Sequence, residues 1–145
     1  MTAAYDNSKF GSPLSGDLGG TVNNESRVVM IGGSYSMDAI TVNAEIEKFT
    51  DKVAIGSVET TGTNLYLGGK FALSSTDAVK LAYTKLGETT AGGAKQKNDA
   101  TRIALGYDHG LSKATSVYAL YTKFTDNKVG NPDPSILSVG IKHAF

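Results

Sequence analysis

Ser135-Ile136-Leu137-Ser138-Val139-Gly140-Ile141-Lys142-His143-Ala144-Phe145 closes the chain, and its side chains alternate in kind. Leu137, Val139, Ile141 and Phe145 share one parity, while Ser138, Gly140 and Lys142 share the other. A strand turns successive side chains to opposite faces, so this is a strand with one apolar and one polar side. A chain end with an exposed aromatic invites association unless that residue has an apolar place to go. A membrane is such a place.

The same period of two recurs upstream. Val29, Ile31, Gly33 and Tyr35 share one face of Arg27 to Met37, and Ile40, Val42, Ala44 and Ile46 alternate with Thr41, Asn43, Glu45 and Glu47 up to Phe49. Leu65, Leu67, Phe71 and Leu73 alternate with Asn64, Tyr66, Gly68 and Lys70, and Val79, Leu81 and Tyr83 with Lys80, Ala82 and Thr84. Ile103, Leu105 and Tyr107 oppose Arg102, Ala104, Gly106 and Asp108, and Tyr118, Leu120 and Phe124 are expected to oppose Ala119, Tyr121 and Lys123. Residues 2–8 read as the tail of a strand whose beginning is missing. Tight corners are expected at 36–39, 74–77 and 110–113, and long loops at 9–25, 50–60, 87–99 and 126–134. The expectation is an all-β chain of about eight antiparallel strands, a single region over residues 1–145. Long and short connections alternate as in a transmembrane β-barrel.

Composition agrees without deciding. Seventeen glycines, seven Tyr and five Phe against three Pro favour strands and turns. The mean hydropathy of −0.15 suits either a soluble protein or a barrel that faces lipid and water alternately. No run approaches the ~18 apolar residues of a membrane helix. A formal net charge of 0 gives no support to nucleic-acid binding, and the absence of cysteine removes disulfides and thiolate chemistry. The start, Met1-Thr-Ala-Ala-Tyr-Asp, lacks the basic and apolar regions of an export signal, so an outer-membrane assignment implies a fragment or a chain read without its leader.

Several segments resemble a known family. Ile31-Gly-Gly-Ser-Tyr-Ser, Leu67-Gly-Gly-Lys-Phe-Ala-Leu, Ala104-Leu-Gly-Tyr-Asp-His-Gly-Leu-Ser-Lys, Val117-Tyr-Ala-Leu-Tyr-Thr-Lys and Val139-Gly-Ile-Lys-His-Ala-Phe are similar to strands and turns of Gram-negative general diffusion porins of the neisserial and Burkholderia type. The resemblance covers the C-terminal half of such a protein. It implies half of a sixteen-stranded barrel that trimerises in the outer membrane and passes small hydrophilic solutes and ions, with no cofactor and no reaction. It also implies that Leu137, Val139, Ile141 and Phe145 form a signal read by the barrel-assembly machinery.

The residue pattern supplies candidate roles beside this. Glu45, Glu47, Lys70, Lys80, Arg102, Asp108, Lys123 and Lys142 are expected to line the pore, where they meet water, and their cations suggest a mild anion preference. Tyr35, Phe71, Tyr107 and Tyr118 near the tight turns, and Tyr83 and Phe124 nearer the long loops, are expected to form aromatic belts at the two membrane interfaces. A soluble sandwich would hold such aromatics in its core but has no reason to band them at strand ends.

Two other readings compete. A complete eight-stranded barrel of OmpA type, an anchor or adhesin, needs a filled interior, whereas the polar face is rich in Gly, Ala, Ser and Thr. A soluble lipocalin-like barrel needs its apolar face inside. Catalysis finds little support: His109 and His143 lack metal-ligand spacing, and Glu45 and Glu47 read as carboxylates on a wet wall. Asp126 and Asp133 fit no established calcium spacing.

Overall fold

Alternation with unlike faces yields sheet, and the regular elements among the described residues are all strands. A computed structural model describes residues 2–13, 21–53, 58–127 and 133–144. Its regular elements there are ten strands: β1 (Thr2–Pro13), β2 (Thr21–Met37), β3 (Ile40–Val53), β4 (Val58–Ala72), β5 (Asp77–Leu86), β6 (Thr89–Ala91), β7 (Ala94–Gln96), β8 (Ala100–Gly110), β9 (Thr115–Asp126) and β10 (Ser135–His143). All ten belong to one antiparallel sheet, ordered β1-β2-β3-β4-β5-β8-β9-β10, with the small β6–β7 hairpin attached to β4.

The sheet is open among the described residues, since β1 pairs only with β2 and β10 only with β9. That removes the closed eight-stranded barrel, which requires β1 against β10. An open edge cannot remain in lipid, where no water satisfies its backbone groups. The sheet therefore has the form of a section of barrel wall.

Strand ends differ on the two sides. Three tight corners lie on one side, and each has a local chemical cause. Asp38 adopts a φ of 50°, a left-handed conformation that a short polar side chain tolerates. Ser74 Oγ accepts from the backbone N–H of Thr76 and Asp77 at 3.1 and 3.0 Å. Ser112 Oγ does the same for Ala114 and Thr115, at 3.2 and 3.0 Å. Leu73-Ser74 and Leu111-Ser112 thus open two copies of one turn.

On the other side the strands outrun the sequence reading. Segments 9–25 and 50–60, expected as loops, continue the ladder as far as Pro13↔Thr21 and Val53↔Val58. Segment 87–99, also expected as a loop, contains the β6–β7 hairpin. Gly92 and Gly93 turn it with φ of +56° and +82°, which glycine adopts at no steric cost.

No hydrophobic residue among those described is buried. In β3 the apolar Val42, Ala44 and Ile46 are exposed, while the polar Thr41, Asn43, Glu45 and Glu47 between them are half-buried. A soluble protein is built the other way round, so the lipocalin-like reading fails here.

Candidate pore wall

Residues paired across an antiparallel ladder point to the same side, so the register sorts every described position. One face carries Ser34, Asn43, Gly68, Ala82, Ala104 and Thr122 in a single row from β2 to β9. All are small or polar. A wall lined this way leaves its interior unfilled, unlike a narrow barrel packed by side chains.

Charge on this face is divided. At the tight-turn end, Asp108 pairs with the Lys80 ammonium and, at 3.7 Å, with Lys142. Lys70 stands directly across from Lys80. Lys142 Nζ also lies 5.1 Å from the centroid of the Tyr118 ring, within reach of a cation–π attraction. These residues, with Asn43 and Tyr66, border a trough of about 540 Å³.

Carboxylates gather on β3 instead. Glu47 accepts from Asn64 Nδ2 at 2.9 Å, Asp51 accepts from Ser26 Oγ at 2.7 Å, and Glu45 sits across from Gly32 and Tyr66. Arg102, across from Thr84, donates to its Oγ1 at 3.3 Å. The register therefore brings Glu45, Glu47, Lys70, Lys80, Arg102, Asp108 and Lys142 to one face.

Strand β9 corrects three expectations. Tyr118 pairs with Asp108 and Phe124 with Arg102, so both aromatics lie on the charged face and not on the outward one. Lys123 pairs with Ile103 and Ser135, which places it on the apolar face and outside the pore-lining set. The physical reason is that β9 carries apolar residues on both parities, Tyr118, Leu120 and Phe124 against Val117, Ala119 and Tyr121. Its own pattern cannot choose, and a slip of one residue exchanges the faces.

Glycine lets two aromatics on the charged face lie flat. A Cβ on Gly140 would meet Tyr118 Oη at 2.6 Å, because the tyrosine ring covers the space a side chain would need. Phe49 covers Gly62 in the same way, with ring atoms 2.5 Å from the position of a Cβ. Neither pairing was anticipated from sequence, though Val139-Gly140 opposite a Tyr is a readable signal once strands are aligned.

The opposite face carries Tyr35, Phe71 and Tyr107 close to the tight turns, and Tyr83 farther along β5. Tyr121, assigned to the polar side from sequence, joins them. Tyr107 Oη donates to Asp77 Oδ1 at 2.5 Å, and His109 Nδ1 lies 2.7 Å from the same oxygen. Leu137, Val139 and Ile141 share this face on β10 and are 73, 74 and 70% exposed. Phe145 lies outside the described residues.

Residues set aside earlier have ordinary partners. His143 Nδ1 is 2.9 Å from Thr115 Oγ1, and Asp133 Oδ1 accepts from the backbone N–H of Asp126 at 2.9 Å. Among the described residues no group of three or more His, Asp or Glu could hold a metal ion.

An open antiparallel sheet with apolar side chains outermost and polar ones within is the wall of an outer-membrane β-barrel. Two solved structures share the arrangement: outer-membrane-expressed OmpT of Vibrio cholerae, at a TM-score of 0.72 and 12% identity, and the same organism's in-vitro-folded OmpT, at 0.71 and 14%. Each match covers 97% of this chain but only 49% and 50% of the other, so the chain spans about half their length. No curated protein matches the sequence. The sequence pattern of the Gram-negative porins matches residues 1–129. The chain belongs to the Gram-negative porin family, and its place is the outer membrane.

Proposed function

We propose that this chain forms part of a water-filled pore through which small hydrophilic solutes and ions diffuse passively, without reaction or cofactor. One observation carries the reading: the row Ser34, Asn43, Gly68, Ala82, Ala104 and Thr122 on one face is small or polar, while the opposite face exposes apolar side chains such as Val42, Ile46, Leu67, Leu81 and Leu105. The chain is read as one region supplying eight strands, the C-terminal half of a sixteen-stranded, trimeric barrel of the neisserial or Burkholderia type. The two open edges, β1 and β10, and the match to half of longer barrels support this.

Selectivity is proposed to be mildly in favour of anions. Lys70, Lys80 and Lys142 outnumber Asp108 at the tight-turn end. Glu45, Glu47 and Asp51 on β3, and the loss of Lys123 from the wall, hold the preference down. Conductance of the barrel containing this chain in a planar bilayer tests the pore. Its reversal potential in a salt gradient tests selectivity, and a cation-selective potential overturns the anion reading.

The same proposal gives Leu137, Val139, Ile141 and Phe145 the role of an assembly signal read by the barrel-assembly machinery. Removing Phe145 should reduce the amount of protein inserted in cells, and unchanged insertion would count against that role.

A further inference from the structure

We propose that the apolar face carries a phosphate-binding belt for lipid headgroups, built from Arg27, Lys48, Lys85 and Lys123, each set across from a hydroxyl. Arg27 stands opposite Thr50, Lys48 opposite Thr63, Lys85 opposite Thr101 and Lys123 opposite Ser135. All four cations are exposed.

Their positions descend as a staircase. Lys48 is the next residue on this face below Thr50, on the way to the tight turns. Leu65, the next below Thr63, pairs with Lys85, and Ile103, the next below Thr101, pairs with Lys123. Tilt and stagger are linked in a barrel, so a level parallel to the membrane crosses the register in such steps. The staircase in register is therefore a level ring in depth.

Below the ring the face is apolar, with Val29 and Ile31 on β2, Ile46 on β3, Leu81 and Tyr83 on β5, and Tyr121 on β9. The ring thus marks where hydrocarbon gives way to headgroups, on the side of the long connections. Arg27 has Glu25 at 3.3 Å, whereas Lys48, Lys85 and Lys123 have no carboxylate partner among the described residues. An ammonium fixed at that depth is matched by a headgroup phosphate, whose second oxygen can accept from the facing hydroxyl.

The protein is reconstituted in phosphatidylcholine vesicles doped with spin-labelled phosphatidic acid or, in parallel, spin-labelled phosphatidylcholine. Electron paramagnetic resonance then reads the fraction of label immobilised at the protein surface. Phosphatidic acid should be enriched in the native protein, and the K48Q/K85Q/K123Q variant should lose that enrichment, by about fivefold per cation removed. The K48R/K85R/K123R variant should keep it. Should the triple glutamine variant fail to insert, K85Q alone should still lower the enrichment by about fivefold. Enrichment that persists in the glutamine variants overturns the belt. Enrichment that inorganic phosphate abolishes, where chloride at equal ionic strength does not, reassigns the ring to free anions and overturns the lipid assignment.

Discussion

The two faces of β3 make an instructive contrast with each other. Val42 and Ile46 are 47 and 46% exposed, yet Glu45 and Glu47, on the same strand, are half-buried. In a protein with one solvent that arrangement would be unstable, because apolar surface is driven out of water at ~25 cal/mol per Å². It is stable here because the faces meet different solvents. Burial, the usual index of importance to stability, ranks these residues in the wrong order; what counts is which solvent each side chain meets.

The hardest way to break the contrast is to place a charge on each face at one level. Leu105 lies on the apolar face between Leu81 and Tyr121. Leu105→Lys should destabilise the barrel by ~2–4 kcal/mol in denaturant unfolding from vesicles, the cost of a cation near the bilayer midplane. Its neighbour Ala104 faces the polar row, and Ala104→Lys should cost under ~0.5 kcal/mol, as at an ordinary wet surface. Equal losses at the two sites would show that the faces do not differ in solvent.

A smaller effect is expected where shape, not charge, distinguishes the faces. Gly140→Val puts a branched side chain where the Tyr118 ring lies, so the ring must swing into the lumen and leave Lys142. Overpacking of this kind costs ~1–3 kcal/mol, and single-channel conductance should fall with it. Conductance unchanged from the native value would mean that Tyr118 does not border the open pathway.

Removing charge from the polar face should alter function and barely touch stability. Asp108→Asn frees Lys80 and Lys142 from their shared carboxylate. Because both lysines are exposed and Asp108 is only half-buried, the stability change should stay within ~1 kcal/mol. The reversal potential should move toward anions, and a move toward cations would contradict the proposed role of these lysines. The smallest effect on function belongs to the turns. Ser74→Ala and Ser112→Ala each remove a local acceptor and should cost ~0.5–1.5 kcal/mol in the same unfolding assay, with conductance unaltered.

Much of this was legible in the chain itself, and unevenly so. Ile40 to Ile46 could be assigned at sight because every apolar residue falls on one parity. Tyr118 to Phe124 could not, since both parities are apolar, and only the partners Asp108 and Arg102 fix which side is which. Segments 9–25 and 50–60 read as loops for a different reason. Beyond the membrane both faces of a strand meet water, so alternation disappears while backbone pairing continues. The Tyr118–Gly140 and Phe49–Gly62 pairs are contacts between strands, and no single strand's pattern encodes them. Lys123 shares the ambiguity of its strand, and its place opposite Ile103 and Ser135 completes the proposed outer ring.

The sheet's spatial order repeats its chain order, apart from the small β6–β7 hairpin. The consequence is kinetic. Each strand pairs with one already made nearby in sequence, so closing the intervening loop sacrifices little entropy, and zippering from hairpin to hairpin has no distant partner to search for. Among the described strands of the main sheet only β1 and β10, the two edges, have such a neighbour on one side alone. In the proposed barrel the closing of β10 onto the first strand is the one long-range event, and the speed at which that seam closes governs how long bare backbone is exposed in the membrane.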